Sequence, residues 1–236
     1  MHVRGVPCMN FQELLSSFKP GADVTPLAEK FRSAAAALAG VLLLGWALRL
    51  LPEVGYPLSL LASMAAAAVL LFAVPHSPMA QPWPLLAGNV VSAIVGWGCS
   101  VWIPDVVVAS ASAVGFSILL MHLTRSLHPP GAATAIVIVL NAPIYHQHGW
   151  LWAASVVLAN ILLFLVLAFV LNNLIHLGRY PVHRYQGAPK PMAGREQLTA
   201  EDVAWALGKM EGVTDVSEHD LLEIYRLAAE HARQRP

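Results

Sequence analysis

Thr124-Arg125-Ser126-Leu127-His128-Pro129-Pro130-Gly131-Ala132-Ala133-Thr134-Ala135 is the stretch that decides how this chain folds. A cation, a histidine, two prolines and a run of very small residues stand together, with apolar segments on both sides. Residues 34–176 carry only four formally charged side chains, Arg49, Glu53, Asp105 and Arg125. A region so poor in charge belongs in a bilayer, where non-helical backbone is tolerated only if protein buries it or it lines a cavity. Ionisable groups at such places are costly and usually functional. The protein is expected to act here.

The rest of the chain agrees with a membrane setting. It is 57% hydrophobic and 12% charged, against roughly 25% charged in a typical soluble domain. Its 14 Lys and Arg balance 14 Asp and Glu, so bulk charge implies no nucleic-acid partner. Placement is more telling. Arg4, Lys19, Lys30 and Arg32 precede residue 34, while Arg179, Arg184, Lys190, Arg195, Lys209, Arg226, Arg233 and Arg235 follow residue 176. Two cysteines, Cys8 and Cys99, make no disulfide framework, and residues 1–33 show no cleavable signal. The expected fold class is all-α, a polytopic membrane helix bundle with a small helical tail. Its parts are a cytoplasmic segment 1–33, a transmembrane domain 34–176, and a cytoplasmic linker with helical hairpin 177–236.

A spanning helix needs about 20 apolar residues. Segments 34–51, 57–74, 84–103, 105–123 and 150–176 meet that length. Segment 131–143 does not, covering roughly 20 Å at about 1.5 Å per residue, so it must start below the surface. Basic residues at both ends put both termini in the cytoplasm by the positive-inside rule, which requires an even number of crossings. Six is therefore the expected count, in a bacterial inner (plasma) membrane. The 75–83 and Arg125 loops then face the cytoplasm, and the His146/His148 loop faces out. Trp83, Trp102, Trp150 and Trp152 mark the interfaces.

Segments one to three and four to six resemble two copies of one unit. Ala65-Ala66-Ala67-Ala68-Val69 falls 67 residues before Ala132-Ala133-Thr134-Ala135-Ile136, and the same offset takes Trp83 to Trp150. Both second-position helices end at a proline, Pro75 and Pro143. A three-helix unit repeated in series inserts with opposite topologies, the inverted-repeat plan of many transporters. Chance likeness between Ala-rich stretches is the competing explanation. In a true repeat, the N-terminal ends of the two helices face each other and offer an anion site without a buried lysine.

The motif His128-Pro129-Pro130-Gly131-Ala132-Ala133-Thr134-Ala135 resembles the signature of the HPP family of integral membrane proteins. Pro75-His76-Ser77-Pro78-Met79-Ala80-Gln81-Pro82 is similar to the family's second hallmark, and Asn172-Asn173-Leu174 with Arg179-Tyr180-Pro181 to its closing one. The likeness covers roughly residues 30–185. It implies a transporter, with nitrite the substrate assigned in the photosynthetic branch. Members commonly read Gly-Ala-Ser where this chain has Ala65-Ala66-Ala67, and Gly131 comes one place early.

The candidate substrate-binding residues are His128, Pro129, Pro130, Gly131, Ala132 and Thr134 on one side. Ala65, Ala66 and Ala67 form the other side, with Arg125, Ser77 and Gln81 in the flanking loops. His128 can contact substrate or carry a proton, or it can simply bond a carbonyl. Pro129 and Pro130 start a helix. Arg125 either attracts anions or enforces topology. Asn89, Ser92, Asn160, Asn172 and Asn173 are expected as hydrogen-bond partners between helices. His146 and His148 lack a third metal ligand, so no metal or cofactor is expected. In the tail, Thr199 and Ser217 begin two short helices with acidic first turns, and residues 9–18 suit a surface helix.

The leading function is a transporter or channel for a small monovalent anion, nitrite by resemblance. Its partners would be that anion and the lipid bilayer, and self-association through the tail stays open. An enzyme is not expected, because the membrane region holds no convergent nucleophile, acid–base pair or metal cluster. The alternative is a membrane sensor or scaffold working through its C-terminal helices.

Overall fold

The computed structural model describes residues 26–51, 60–176 and 180–181, together with Leu15 and Phe18. Among these the chain is helical, with no strand. Four helices are long and apolar enough to cross a bilayer. They are α1 (Leu27–Leu50), α3 (Asn89–Trp102, entered through a π-helical turn Pro84–Gly88), α4 (Val106–Leu123) and α7 (Trp150–His176). Between them stand two short apolar helices, α2 (Ser63–Ala68, continued by a π-helical turn Val69–Ala73) and α5 (Pro129–Leu140), and a two-turn helix α6 (Ala142–His148). The expected tail hairpin lies outside the described residues, and of the expected 9–18 helix only Leu15 and Phe18 are described.

Three expectations need correction. Segment 57–74 is not one full-length helix, because α2 begins only at Ser63. Just upstream, the Leu61 N–H is captured by Asn160 Oδ1 at 3.0 Å. At its other end Val74 leaves helical geometry (φ −131°, ψ 55°), one residue before Pro75, where proline disfavours helix in its predecessor. The second correction concerns 131–143. Helix α5 starts earlier, with both prolines in its first turn, and stops at Leu140. Pro143 then sits in the first turn of α6, so the stretch holding His146 and His148 is helix rather than loop. Trp152 is also no interfacial anchor. It is buried and packs on Tyr145 and His148, whereas Trp83 and Trp102 are exposed as anchors should be.

Lipid tails are as apolar as leucine, so burial alone does not hold such helices together; close approach and hydrogen bonds do. Helices α1, α2 and α7 pack as one group around Leu44, Phe72, Ile161 and Phe164. The rings of Phe72 and Phe164 meet edge to face at 5.8 Å, and Gly40 leaves room for Phe72. Helices α3, α4 and α5 form the other group. There Gly88, Ser92 and Gly96, spaced four apart on one face, receive Gly131 and Ala135 of α5. A Cβ at Gly96 would come within 2.7 Å of the Ala135 carbonyl oxygen, and one at Gly131 within 2.9 Å of the Gly88 oxygen. Helix α2 touches α5 and joins the two groups.

Candidate functional site

At the joint between α2 and α5 lies a polar layer closed off from all sides. Ser63, Asn89 and Thr134 are buried. Thr134 Oγ1 sits 2.6 Å from Asn89 Oδ1, 2.8 Å from Ser63 Oγ and 3.3 Å from the Pro130 carbonyl oxygen. The Asn89 amide is fixed by its own helix, since Nδ2 donates to the Leu85 carbonyl at 2.7 Å. Its oxygen therefore faces α5 as an acceptor. Asn160 is held in the same way by Val156 and turns its oxygen to Leu61 N–H.

His128, the residue that caps α5, is wholly buried. Its Nδ1 lies 2.9 Å from the Met79 carbonyl oxygen. A carbonyl only accepts, so Nδ1 carries the proton and Nε2 is left as a lone-pair acceptor. Among the described residues Nε2 has no partner, an uncommon state for a buried polar atom. Gly88 makes space for the chain entering α5, because a Cβ there would meet the Ser126 carbonyl oxygen at 2.7 Å and the His128 Cβ at 2.8 Å.

The proposed anion cradle of helix N–H groups needs correction. Pro129 and Pro130 carry no N–H, and the Gly131 N–H is spent on the His128 carbonyl at 2.8 Å. The start of α5 therefore has few donors to offer, and what faces the joint is the hydroxyl of Thr134. With α5 beginning at Pro129, Thr134 belongs to its second turn rather than the first.

Of the remaining sequence-derived candidates, Pro130, Gly131 and Ala67 are buried near the joint. Ala132 is half-buried and Pro129 exposed, and Ala65 and Ala66 face outward from α2. The helical period turns Ser63, Met64, Ala67 and Ala68 inward and leaves Ala65 and Ala66 outside,. Ser77 and Gln81 shape the preceding loop instead. Ser77 Oγ accepts from Met79 N–H at 3.3 Å, and Gln81 Nε2 donates to the carbonyls of Pro75 and Ser77, both at 3.0 Å. The same loop is held from the far side by Tyr180, whose hydroxyl donates to the Ala80 carbonyl at 2.9 Å. Burial pushes that phenol's pKa up, so it stays a donor.

Arg125 stands apart from the polar layer, exposed on a groove of about 690 Å³ that Gln81, Trp83 and Leu127 also line. It ends α4 in a left-handed conformation, φ 52°. Ser126 N–H bonds to Met121 O at 2.8 Å and Arg125 N–H to His122 O at 3.2 Å, the two bonds of a Schellman end. Glycine usually fills this position, and a side chain there costs about 1–2 kcal/mol.

Ser63, Gly88 and Gly96 are the contributors that reading the sequence missed, and Tyr180 was quoted only within the closing motif, with no role given to it. The four-residue spacing of Gly88, Ser92 and Gly96 was a legible signal of close helix approach; nothing in the sequence marks Ser63.

The three motifs quoted from the sequence thus meet in space, with His128 on Met79 and Tyr180 on Ala80. Comparison with known proteins agrees. The chain matches the family described as HPP, transmembrane region, over residues 22–181. It is 40% identical over 128 residues to a transmembrane protein of Dictyostelium discoideum, a match covering 52% of this chain and 45% of that one. A second transmembrane protein of the same organism is 41% identical over 127 residues, covering 52% and 40%. The matched region thus spans less than half the length of either relative. No solved structure matches. The match across most of the transmembrane region settles the family: this chain is an integral membrane protein of the HPP family.

Proposed function

We propose that the protein moves a small monovalent anion across the membrane, nitrite being the candidate that the family resemblance suggests, and that the substrate passes the joint between α2 and α5. The observation that carries this reading is the buried layer of Ser63, Asn89 and Thr134, together with His128 at the start of the same helix α5, whose Nε2 has no partner among the described residues. Two short helices meeting inside a bundle is the way membrane carriers place polar groups at depth. The layer holds hydroxyls, an amide and an imidazole and no carboxylate. Asp105, the one acid among described residues 60–176, caps α4 at the exposed end. Without a buried acid the layer carries no negative charge to repel an anion or to hold a metal cation, and its hydroxyls can rotate to donate to a substrate. Nε2, as a lone-pair acceptor, can take up a proton that travels with the anion.

An inverted repeat is part of this reading. An offset of 67 residues carries Ser63–Ala73 onto residues 130–140, one residue from the start of α5. Asn89 and Asn160 support it as well, each on the third long segment of one half and each bonded at the short helix of the other. Both termini are read as cytoplasmic, and the protein as a carrier or channel rather than an enzyme.

The test is flux. Purified full-length protein in liposomes should accumulate nitrite, nitrate, formate or chloride above protein-free vesicles, and Thr134→Val should lose that flux while remaining folded. Absence of flux for all four anions, in vesicles where the protein is shown to be folded, would remove this reading. Loss of biological activity on deleting residues 190–236, with His128 replaceable, would favour the sensor or scaffold.

A further inference from the structure

The groove beside Arg125 has no role in the polar layer, yet several features converge on it. It is open, about 690 Å³, and lined by His76, Pro78, Gln81, Trp83, Arg125 and Leu127 among others. Arg125 is the only Lys or Arg among described residues 60–176, and no ion pair engages its guanidinium among the described residues. It occupies a left-handed position that glycine fills without strain,. A helix end of this kind does not need arginine, so the geometry of the turn does not account for the side chain. The indole Nε1 of Trp83 donates to the Thr124 carbonyl at 3.2 Å, which pins the arginine's turn to the groove wall. Met79, whose carbonyl holds His128, also lines the groove. The groove thus adjoins the loop that orients the buried histidine.

We propose that this groove is a collecting site for small inorganic anions, in which Arg125 raises the local anion concentration beside the loop that orients His128. The proposal rests on the transport reading for its purpose, but the charge of the groove can be measured without transport. A low-dielectric cleft with one uncompensated cation focuses its field, raising local counter-ion concentration and on-rate tenfold or more. Salt screens the effect within about 10 Å at 0.1 M ionic strength.

The reporter is a cysteine replacing the exposed Pro78 in full-length protein that carries Cys8→Ser and Cys99→Ala. Its reaction rates with an anionic and a cationic methanethiosulfonate give a ratio that reads the groove's potential. The ratio should fall roughly tenfold on Arg125→Gly, stay near the parent value on Arg125→Lys, and converge at high salt. Thermal midpoints should be unchanged or higher for Arg125→Gly, because glycine suits the left-handed turn. Nitrate should slow the anionic reagent more than gluconate at equal ionic strength, in detergent and in neutral phosphatidylcholine alike. In flux assays Arg125→Gly should raise KM roughly tenfold with little change in kcat. A ratio insensitive to Arg125→Gly overturns the proposal. So does nitrate protection that appears only with phosphatidylglycerol in the bilayer, which would make the groove a lipid headgroup site. A ratio that responds, in a protein that transports none of the tested anions, keeps the collecting site and removes the transport reading.

Discussion

Thr134 has one hydroxyl hydrogen and three oxygen neighbours, and chemistry decides where that hydrogen goes. Asn89 Oδ1, at 2.6 Å, is the nearest and can only accept,. Thr134 therefore donates to Asn89 and accepts from Ser63, which gives the layer a direction. Thr134→Val keeps the shape and removes the hydroxyl, leaving Asn89 Oδ1 and Ser63 unpaired in a buried site at a cost of about 1–3 kcal/mol. Flux should fall at least about tenfold, equivalent to about 1.4 kcal/mol of barrier. Thr134→Ser should restore most of it, and equal flux for the valine and serine variants would exclude the hydroxyl from the path. The two nitrogens of His128 can be separated in a similar way. An asparagine places an amide nitrogen near Nδ1 and can renew the bond to Met79. A glutamine reaches where Nε2 stands and gives up that bond. If Nε2 handles substrate or proton, His128→Asn should stay stable and lose flux in liposomes, while His128→Gln should lower the thermal midpoint. Normal flux through His128→Asn would reduce the histidine to a loop anchor. The sequence pointed to His128 and Thr134 because a charge-poor region makes each polar residue conspicuous. It was silent on Ser63, a serine among alanines whose importance comes only from α5 lying against it.

The elements explain which small residues matter. In the Ala65-Ala66-Ala67 run, Ala67 is wholly buried while Ala65 and Ala66 face outward, a distinction that follows from the helical period and not from composition. Ala67→Leu should therefore overfill the α2–α5 contact and cost roughly 1–3 kcal/mol. Ala66→Leu should be tolerated in both stability and flux, contrary to treating the three alanines alike. Loss of flux in Ala66→Leu with normal folding would show that α2 turns its outer face to substrate. Glycines divide in the same manner. At Gly96 a new methyl would strike the Ala135 backbone, at 2.7 Å from its oxygen, and backbone cannot rotate aside. Gly96→Ala should separate α3 from α5 and lower the thermal midpoint. Gly115, in the middle of α4, has nothing within 4 Å of a built Cβ, so Gly115→Ala should raise stability by up to about 1 kcal/mol through helix propensity. The long helices were legible from hydropathy alone. Their short partners were less so, because the apolar stretch 57–74 continues upstream of the point where Asn160 captures the Leu61 N–H. A side chain ninety-nine residues away in sequence sets that limit, and local pattern cannot report it.

At the scale of the whole molecule, the two ends of the bundle are chemically unlike. Asp105 caps α4 at one end, accepting from Val107 and Val108 N–H, near α3's Ser100, which pairs with His146 of α6 at 2.9 Å. Arg125 closes α4 at the other end, beside Pro78 and Gln81. Helix α4 has 18 residues, so these ends stand roughly 27 Å apart at about 1.5 Å per residue, close to the roughly 30 Å hydrocarbon core. Helices α2 and α5 are each too short for that distance. Which end faces the cytoplasm is a matter of charge. Arg125 stands at the same end as the Pro75–Pro84 loop, and basic residues crowd the segments before residue 34 and after residue 176. The positive-inside rule then predicts a cytoplasmic Arg125 end. Single cysteines replacing Pro78, Gln147 and Lys190, in protein lacking Cys8 and Cys99, make this measurable with a membrane-impermeant maleimide on intact cells. Only the Gln147 position should react from outside, and the other two should react after permeabilisation. Outside labelling at positions 78 and 190 with protection at 147 would reverse the orientation and turn the Arg125 groove toward the exterior. Equal labelling at 78 and 147 from one side would be more damaging, because α4 could not then span the membrane between Asp105 and Arg125.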